Sequence, residues 1–175
     1  MLFRSMDNIQ LTEPTLRYLE PPLLLKNEQG RFSGVSQQGD SVFMTPLAAR
    51  GAAFGDLDND GLMDIAINCN DGHAIILHNR AGNANHWLML NLIGTSSNRD
   101  AIGSKIRLVT DNGQQQTRFV STAGSYISAS DKRVHFGLGP SKKSRLIEIT
   151  WPSGIVQRLE SIAVDQVLTV KEPAR

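Results

Sequence analysis

The sequence has 175 residues, a formal net charge of +1 and a single cysteine, Cys69. So small a net charge argues against attraction of the whole chain to nucleic acid or to an anionic membrane. One cysteine excludes a disulfide framework and a cysteine zinc site. No apolar run reaches the ~18–20 residues of a membrane helix, and residues 1–7 lack the hydrophobic region of a signal peptide.

The N-terminal residues 1–17 are predicted to be irregular. A helical pattern between Asp7 and Leu19 contains Pro14, which removes a backbone donor and interrupts the helix. The first clear strand pattern is 31–35, which follows a turn ending at Gly30.

The densest charge in the sequence lies at residues 55–64, which read GDLDNDGLMD. Its acidic spacing matches the first half of an EF-hand loop, but the twelfth position is Ile67 where an EF-hand has a bidentate Glu. Short apolar runs on both sides predict a strand, a loop and a strand. We predict a Ca²⁺ loop with side-chain ligands, one backbone carbonyl and a closing acid: Asp56, Asp58, Asp60, Leu62 and Asp64. The alternative is a solvated hairpin turn without a metal.

From His86 onward the sequence predicts β-strands separated by short turns, including a hairpin turn at Asn112-Gly113. Several of these strands alternate charged and apolar residues, which places one face in a core and the other in water. The spacing predicts an all-β fold, a small antiparallel β-sandwich or barrel. The expected strands are 86–93, 104–110, 114–121, 126–128, 134–136, 146–151, 155–159 and 167–170.

No catalytic residue is predicted. The four histidines stand outside any recognised constellation, so we interpret each as structural: His73, His78, His86 and His135. A polar loop is a candidate ligand site at Asn98, Arg99 and Asp100; alternatively, it is held by its own hydrogen bonds. Basic residues of the C-terminal half could attract an acidic glycan or nucleic acid, but their alternation with apolar residues is also that of a solvated face, and nucleic acid is the less favoured ligand.

Two parts of the chain resemble known families. Residues 18–82 resemble an FG-GAP/VCBS-type repeat, the unit of a β-propeller blade, through Pro22–Asn27, Gly30–Phe32 and Ala53–Asp64. Residues 86–172 resemble an ASPIC/UnbV domain. The matching motifs occur in order along the chain at His86–Leu88, Ser97–Gly103, Phe136–Gly139 and Trp151–Gly154.

These resemblances imply blade-like strands that carry a Ca²⁺ loop, followed by a β domain. They imply a non-enzymatic module of a repeat protein that contacts a protein or glycan, in an extracellular, periplasmic or cell-surface location. A propeller needs at least ~4 blades, and this chain has material for about one. Three arrangements are therefore open: the chain is part of a longer repeat protein, the repeat packs directly on the C-terminal module, or an exposed blade edge pairs with another copy. The alternative function is an accessory domain of a biosynthetic enzyme, or an enzyme with an unrecognised site in the C-terminal module.

Overall fold

The structure is a computed structural model that describes residues 8–70, 72–80 and 84–174. The chain divides into two compact units. The first unit contains Met1–Ala53, Ile65–Leu77 and Gly124–Ala129; the second contains Phe54–Asp64, His78–Ala123 and Ser130–Arg175. Residues 1–7 of the predicted irregular segment 1–17 lie outside the described residues.

Strands make up 45% of the described residues and helices 7%, which confirms the all-β prediction. Over residues 8–70, 72–80 and 84–174, helical structure is confined to short turns at Ile9–Thr12, Ser36–Gln38 and Ser41–Met44. No helix among the described residues is long and apolar enough to span a membrane. The strands are β1 (Leu25–Glu28), β2 (Arg31–Gly34), β3 (Ala49–Gly55), β4 (Asp64–Cys69), β5 (Ile75–Leu77), β6 (His86–Ile93), β7 (Lys105–Thr110), β8 (Gln115–Phe119), β9 (Val134–Gly139), β10 (Lys143–Thr150), β11 (Val156–Ala163) and β12 (Gln166–Lys171).

The first unit holds an antiparallel hairpin, β1–β2, and most of a three-stranded sheet in the order β3-β4-β5. The hairpin turns through Gln29 and Gly30, both in the left-handed region that suits glycine. Every residue of the hairpin strands is exposed. Ile67, at the centre of the three-stranded sheet, is buried. Ile67 is thus the buried apolar residue of β4, a strand that its β-branched pattern predicts.

The second unit is built from two sheets that share one apolar core. One sheet has the order β11-β10-β7-β8 and is antiparallel; the other has the order β12-β6-β9. Alternate residues of both sheets point inward and fill the core without a closed barrel, an arrangement consistent with a β-sandwich. The fully buried members with the largest side chains are Trp151, Phe136, Leu88, Leu90, Ile106, Leu108, Leu138, Ile147 and Ile149.

Two details differ from the sequence predictions. First, β12 pairs with β6 in parallel, with Val167 opposite Met89, a pairing that the predicted small antiparallel β-sandwich or barrel did not include. Parallel partners need a long connection, and the strands β7 to β11 supply it. Second, residues 126–128 form a turn and not a strand. Ile127 has a φ of +46°, and the Ser128 hydroxyl donates to the Tyr126 carbonyl at 2.9 Å.

The alternation along β9 places two kinds of residue on its two faces. Val134, Phe136 and Leu138 are buried in the sandwich core. His135 lies on the opposite face. Arg133, which immediately precedes the strand, shares that face by the same period. This second face of β9 points toward the acidic loop that joins β3 to β4.

Candidate metal centre

The acidic loop begins as β3 ends at Gly55 and finishes as β4 begins at Asp64. Two of its residues have positive φ, Asn59 at +62° and Gly61 at +88°. Asparagine and glycine adopt this region at the lowest cost, so the sequence is suited to the tight turns that bring the aspartates together. The strand, loop and strand predicted from the flanking apolar runs are confirmed.

Asp56 anchors the interior of the loop. It is 2% exposed, and its two carboxylate oxygens accept hydrogen bonds from the backbone N–H groups of Asp60 at 3.1 Å and Gly61 at 2.9 Å. Asp60 in turn accepts from the N–H of Leu62 at 2.7 Å. A carboxylate offers about four lone-pair sites, so Asp56 keeps acceptor capacity beyond these two bonds.

Asp64 closes the loop. It is 1% exposed and accepts from the N–H groups of Leu57 at 3.0 Å and Asn79 at 2.8 Å. Burial raises the pKa of Asp64, but these N–H donors and the neighbouring His78 outweigh burial and hold the pKa below its usual value. The carboxylate therefore stays ionised at neutral pH, in the form that binds a cation.

The predicted side-chain ligands are brought together. Carboxylate oxygens of Asp56, Asp58 and Asp60 all lie within 4.8 Å of one another, and Asp58 and Asp64 form a second group of that size with His78. Oxygen atoms from carboxylates are the ligands that Ca²⁺ prefers, so the donor set fits the predicted ion. Leu62 takes part through its N–H bond to Asp60; the use of its carbonyl as a ligand stays a prediction.

His78 is a member of this centre that the sequence did not reveal. Its Nδ1 lies 3.1 Å from an oxygen of Asp64, and its Nε2 lies 3.4 Å from an oxygen of Asp58. In the sequence, His78 lies in a strand pattern and has the features of a structural histidine. The structure places it just beyond the end of β5 at Leu77, beside the loop. No spacing rule connects a histidine there with the aspartate repeat.

The indole of Trp87 packs against the glycine of the loop. A Cβ built on Gly61 would lie 2.0 Å from Cε2 of Trp87, far inside van der Waals contact. The Trp87 ring also stacks on His135, with centroids 6.3 Å apart and planes 14° from parallel. Only glycine satisfies both the backbone angle and the space at position 61.

The second predicted site, Asn98 with Arg99 and Asp100, lies on an exposed loop of the sandwich. The Asn98 side chain holds this loop, because it accepts from the Ile102 N–H at 2.9 Å and donates to the Ile102 carbonyl at 2.8 Å. Asp100 forms an ion pair with Lys132, and this contact lowers the pKa of Asp100. These contacts describe how the loop is held; its role in ligand binding stays a prediction.

A buried carboxylate near the C-terminus holds two of the sequence motifs together. Glu172 is 2% exposed and accepts from the N–H groups of Thr95, Ser96 and Ser97 and from the hydroxyls of Ser97 and Ser153, all between 2.5 and 2.8 Å. Burial raises the pKa of Glu172, but the bonds from Ser153, Ser97 and Thr95 outweigh it and lower the pKa to about 2. No motif or spacing in the sequence signals a buried role for this residue.

The family comparison agrees with the resemblance of the C-terminal half. Residues 94–175 match the family model described as ASPIC and UnbV. They include strands β7 to β12, the Glu172 network and the residues Arg133 and His135 that face the acidic loop.

Curated relatives are cartilage acidic protein 1 from three vertebrates. The chain is 30% identical to the Xenopus tropicalis protein over 107 residues, 59% of this chain. It is 29% identical to the Mus musculus protein over 126 residues and 28% identical to the Homo sapiens protein over 128 residues, 70% of this chain in both cases. The chain spans only 16–19% of the length of these relatives.

The longer alignments reach beyond the family match. Because 70% of 175 residues is about 122 consecutive residues, the stretch aligned with the mouse and human proteins begins no later than about residue 54. It therefore includes the acidic loop. One continuous aligned stretch therefore contains both the acidic loop and residues of the sandwich.

Alanine at position 61 tests the contact with Trp87. Gly113 in the β7–β8 turn is a matched control, since its φ of +86° is nearly that of Gly61 but a Cβ there meets nothing within 4 Å. We expect Gly113→Ala to cost about 1–2 kcal/mol of unfolding free energy from the left-handed backbone alone. Gly61→Ala should cost about 2–5 kcal/mol, because overpacking adds to that strain. Urea denaturation measures both; equal losses would refute the tight contact.

Glutamine at position 172 tests the buried carboxylate. Its folded-state pKa of about 2 lies below the ordinary 4.5, so its stabilisation is complete above pH 4.5 and is lost as the pH falls toward 2. Glu172→Gln should lower the free energy of unfolding at neutral pH. It should also reduce the fall in that free energy between pH 4.5 and 2, as measured by urea denaturation. Glu160→Gln, on the exposed side of β11, is the control and should follow the wild type. Parallel curves for Glu172→Gln and wild type would contradict the assignment.

Proposed function

We propose that the chain is a non-enzymatic, calcium-binding β module that mediates interaction with a protein or glycan. The observation that carries the calcium assignment is the acidic loop, in which buried Asp56 and Asp64 frame the exposed Asp58 and Asp60. Carboxylates this close repel one another. A bound Ca²⁺ would offset that repulsion and make metal binding stabilise the folded loop.

The ligand chemistry favours calcium over other divalent ions. Carboxylate and carbonyl oxygens suit a hard cation, and an irregular loop suits the flexible coordination of Ca²⁺ better than the strict octahedron of Mg²⁺. The nearby imidazole of His78 is the feature that would suit a borderline metal such as Zn²⁺. Competition between Ca²⁺ and Zn²⁺ for the site distinguishes these two assignments.

The interaction role and the location rest on similarity. We propose that residues 18–82 form an FG-GAP/VCBS-type repeat and that residues 86–172 form the ASPIC/UnbV-type domain that follows it. The similarity to cartilage acidic protein 1 supports placing the chain outside the cell. The chain spans under a fifth of the length of those proteins. Its interaction with a protein or glycan partner is therefore our proposal. We also propose self-association through the edge of the β3-β4-β5 sheet.

The alternative, an accessory domain of a biosynthetic enzyme, needs a pocket that gathers Arg99, Asp100 and a histidine. The contacts of the described residues favour the binding module. Asp100 is paired with Lys132, and the interior of the sandwich is filled by apolar side chains. A catalytic role would have to use a surface loop and not a cavity in this core.

Asparagine at position 58 tests calcium binding with least disturbance of the fold. The Asp58 side chain is 49% exposed and its described partner is His78, so Asp58→Asn should leave the metal-free melting temperature nearly unchanged. For the wild type, Ca²⁺ at a hundredfold excess over its Kd should add about 2.7 kcal/mol of stability and raise Tm by about 5–10 °C. The variant loses one ligand charge but keeps an oxygen that can bind Ca²⁺, so it should lose part of this increment.

Differential scanning calorimetry with Ca²⁺ or with a chelator measures this increment. Asp111→Asn, an exposed aspartate in the β7–β8 turn, is the control and should keep it. An unchanged wild-type Tm with and without Ca²⁺ would exclude the proposed function. Tighter binding of Zn²⁺ than of Ca²⁺, lost in His78→Gln, would assign the site to a borderline metal.

A further inference from the structure

Arg133 contacts the acidic loop at two points from the start of β9. Its Nη2 donates to the backbone carbonyl of Asp56 at 2.7 Å, and its Nη1 donates to the Asn59 side chain at 2.5 Å. The planar guanidinium fork can bridge two acceptors in this way, whereas the ammonium of lysine is a point charge. Arg133 thus ties the first turn of the loop to the sandwich.

Asp131 orients the guanidinium. Its carboxylate accepts from Nε of Arg133 at 2.6 Å and from the Arg133 backbone N–H at 2.9 Å, and both side chains are about one-fifth exposed, 21% and 19%. The backbone N–H of Asp131 also donates to the carbonyl of Phe54, at the end of β3. The arginine is therefore held by its own neighbour before it reaches the loop.

The second half of the loop is held by the next residue on the same face. His135 Nε2 lies 2.9 Å from the carbonyl of Gly61, and Trp87 stacks on His135 and packs against Gly61. Arg133 and His135 are two residues apart, so the pleat of β9 points both toward the loop. One strand of the sandwich thereby fixes the loop at Asp56, Asn59 and Gly61.

The charge of Arg133 opposes, by itself, the binding of a cation nearby. Asp131 pairs with that charge, and the contacts that Arg133 makes with the loop are to a carbonyl and an amide, not to the predicted carboxylate ligands. Its role is thus one of geometry: it fixes the turn that carries Asp56 and Asp58.

We propose that Arg133 is a positioning residue of the calcium site, and that through it the C-terminal sandwich determines the affinity of the loop for Ca²⁺. This inference rests on the proposed function. The charge of Arg133 and its geometric role predict opposite changes in Ca²⁺ affinity when the residue is replaced, so a measurement of affinity distinguishes them. Loss of the charge alone would tighten Ca²⁺ binding, whereas loss of the fork would weaken it because the loop must then be ordered by the metal itself.

Isothermal titration of the full 175-residue chain with Ca²⁺ tests this with three variants. Arg133→Met should weaken binding by about tenfold or more, the scale of losing charge-assisted hydrogen bonds. Arg133→Lys keeps the charge and lacks the fork, so it should weaken binding by about threefold or more. Arg158→Met removes an exposed arginine that is paired with Glu148 on the outer side of the sandwich and should bind as the wild type does.

Calorimetry with and without Ca²⁺ separates positioning from general stability. A merely structural role would lower Tm equally in both conditions; the positioning role reduces the increment that Ca²⁺ adds. If the wild type and Arg158→Met bind no Ca²⁺, the proposed function fails. If both bind and Arg133→Met binds as tightly or more tightly, calcium binding stands and this inference is overturned. Should Arg133→Met fail to fold, unchanged affinity in Arg133→Lys overturns it.

Discussion

The arrangement of this protein around its acidic loop depends on two buried carboxylates, Asp56 and Asp64. An ionised carboxylate is expensive to bury unless hydrogen bonds satisfy it. Here backbone N–H groups do so, from Asp60 and Gly61 to the first and from Leu57 and Asn79 to the second. The resulting turns set the exposed carboxylates of the loop beside the buried ones. Stability of the loop and readiness for a cation therefore come from the same hydrogen bonds.

The loop is supported by residues of the C-terminal sandwich that lie far from it in sequence. Arg133 and His135 occupy one face of β9, while Val134 and Phe136 on the other face belong to the apolar core. Successive residues of this strand therefore point alternately toward the acidic loop and into the apolar core. Trp87 completes this support by packing on Gly61. A metal bound by the loop would stabilise a segment already attached to the sandwich, which is the basis of linkage between binding and folding.

Local pattern was enough to predict most of the strands and the loop that carries the aspartates, but not the turn at residues 126–128. β6 follows its apolar run from residue 86 to 93, and the acidic loop lies between strands because short apolar runs flank it. The pairing of β12 was not predictable, since alternation does not encode strand direction. Nor were the roles of Arg133, His78 and Glu172, because the contacts that define those roles, with Asp56, Asp64 and Thr95 respectively, span 14 to 77 residues of sequence. A glutamate near the C-terminus has the pattern of a solvated residue; only the folded chain shows it buried.

The central claim is that the loop, held against Trp87, binds Ca²⁺. Terbium luminescence measures this directly, because Tb³⁺ takes the oxygen ligands of Ca²⁺ and emits when a nearby tryptophan is excited. The chain has two tryptophans, and Trp87 is the one that packs on the loop. We expect tryptophan excitation to give Tb³⁺ emission that excess Ca²⁺ displaces and that Trp87→Phe abolishes. Absence of sensitised emission, or emission that excess Ca²⁺ leaves unchanged, would contradict the account.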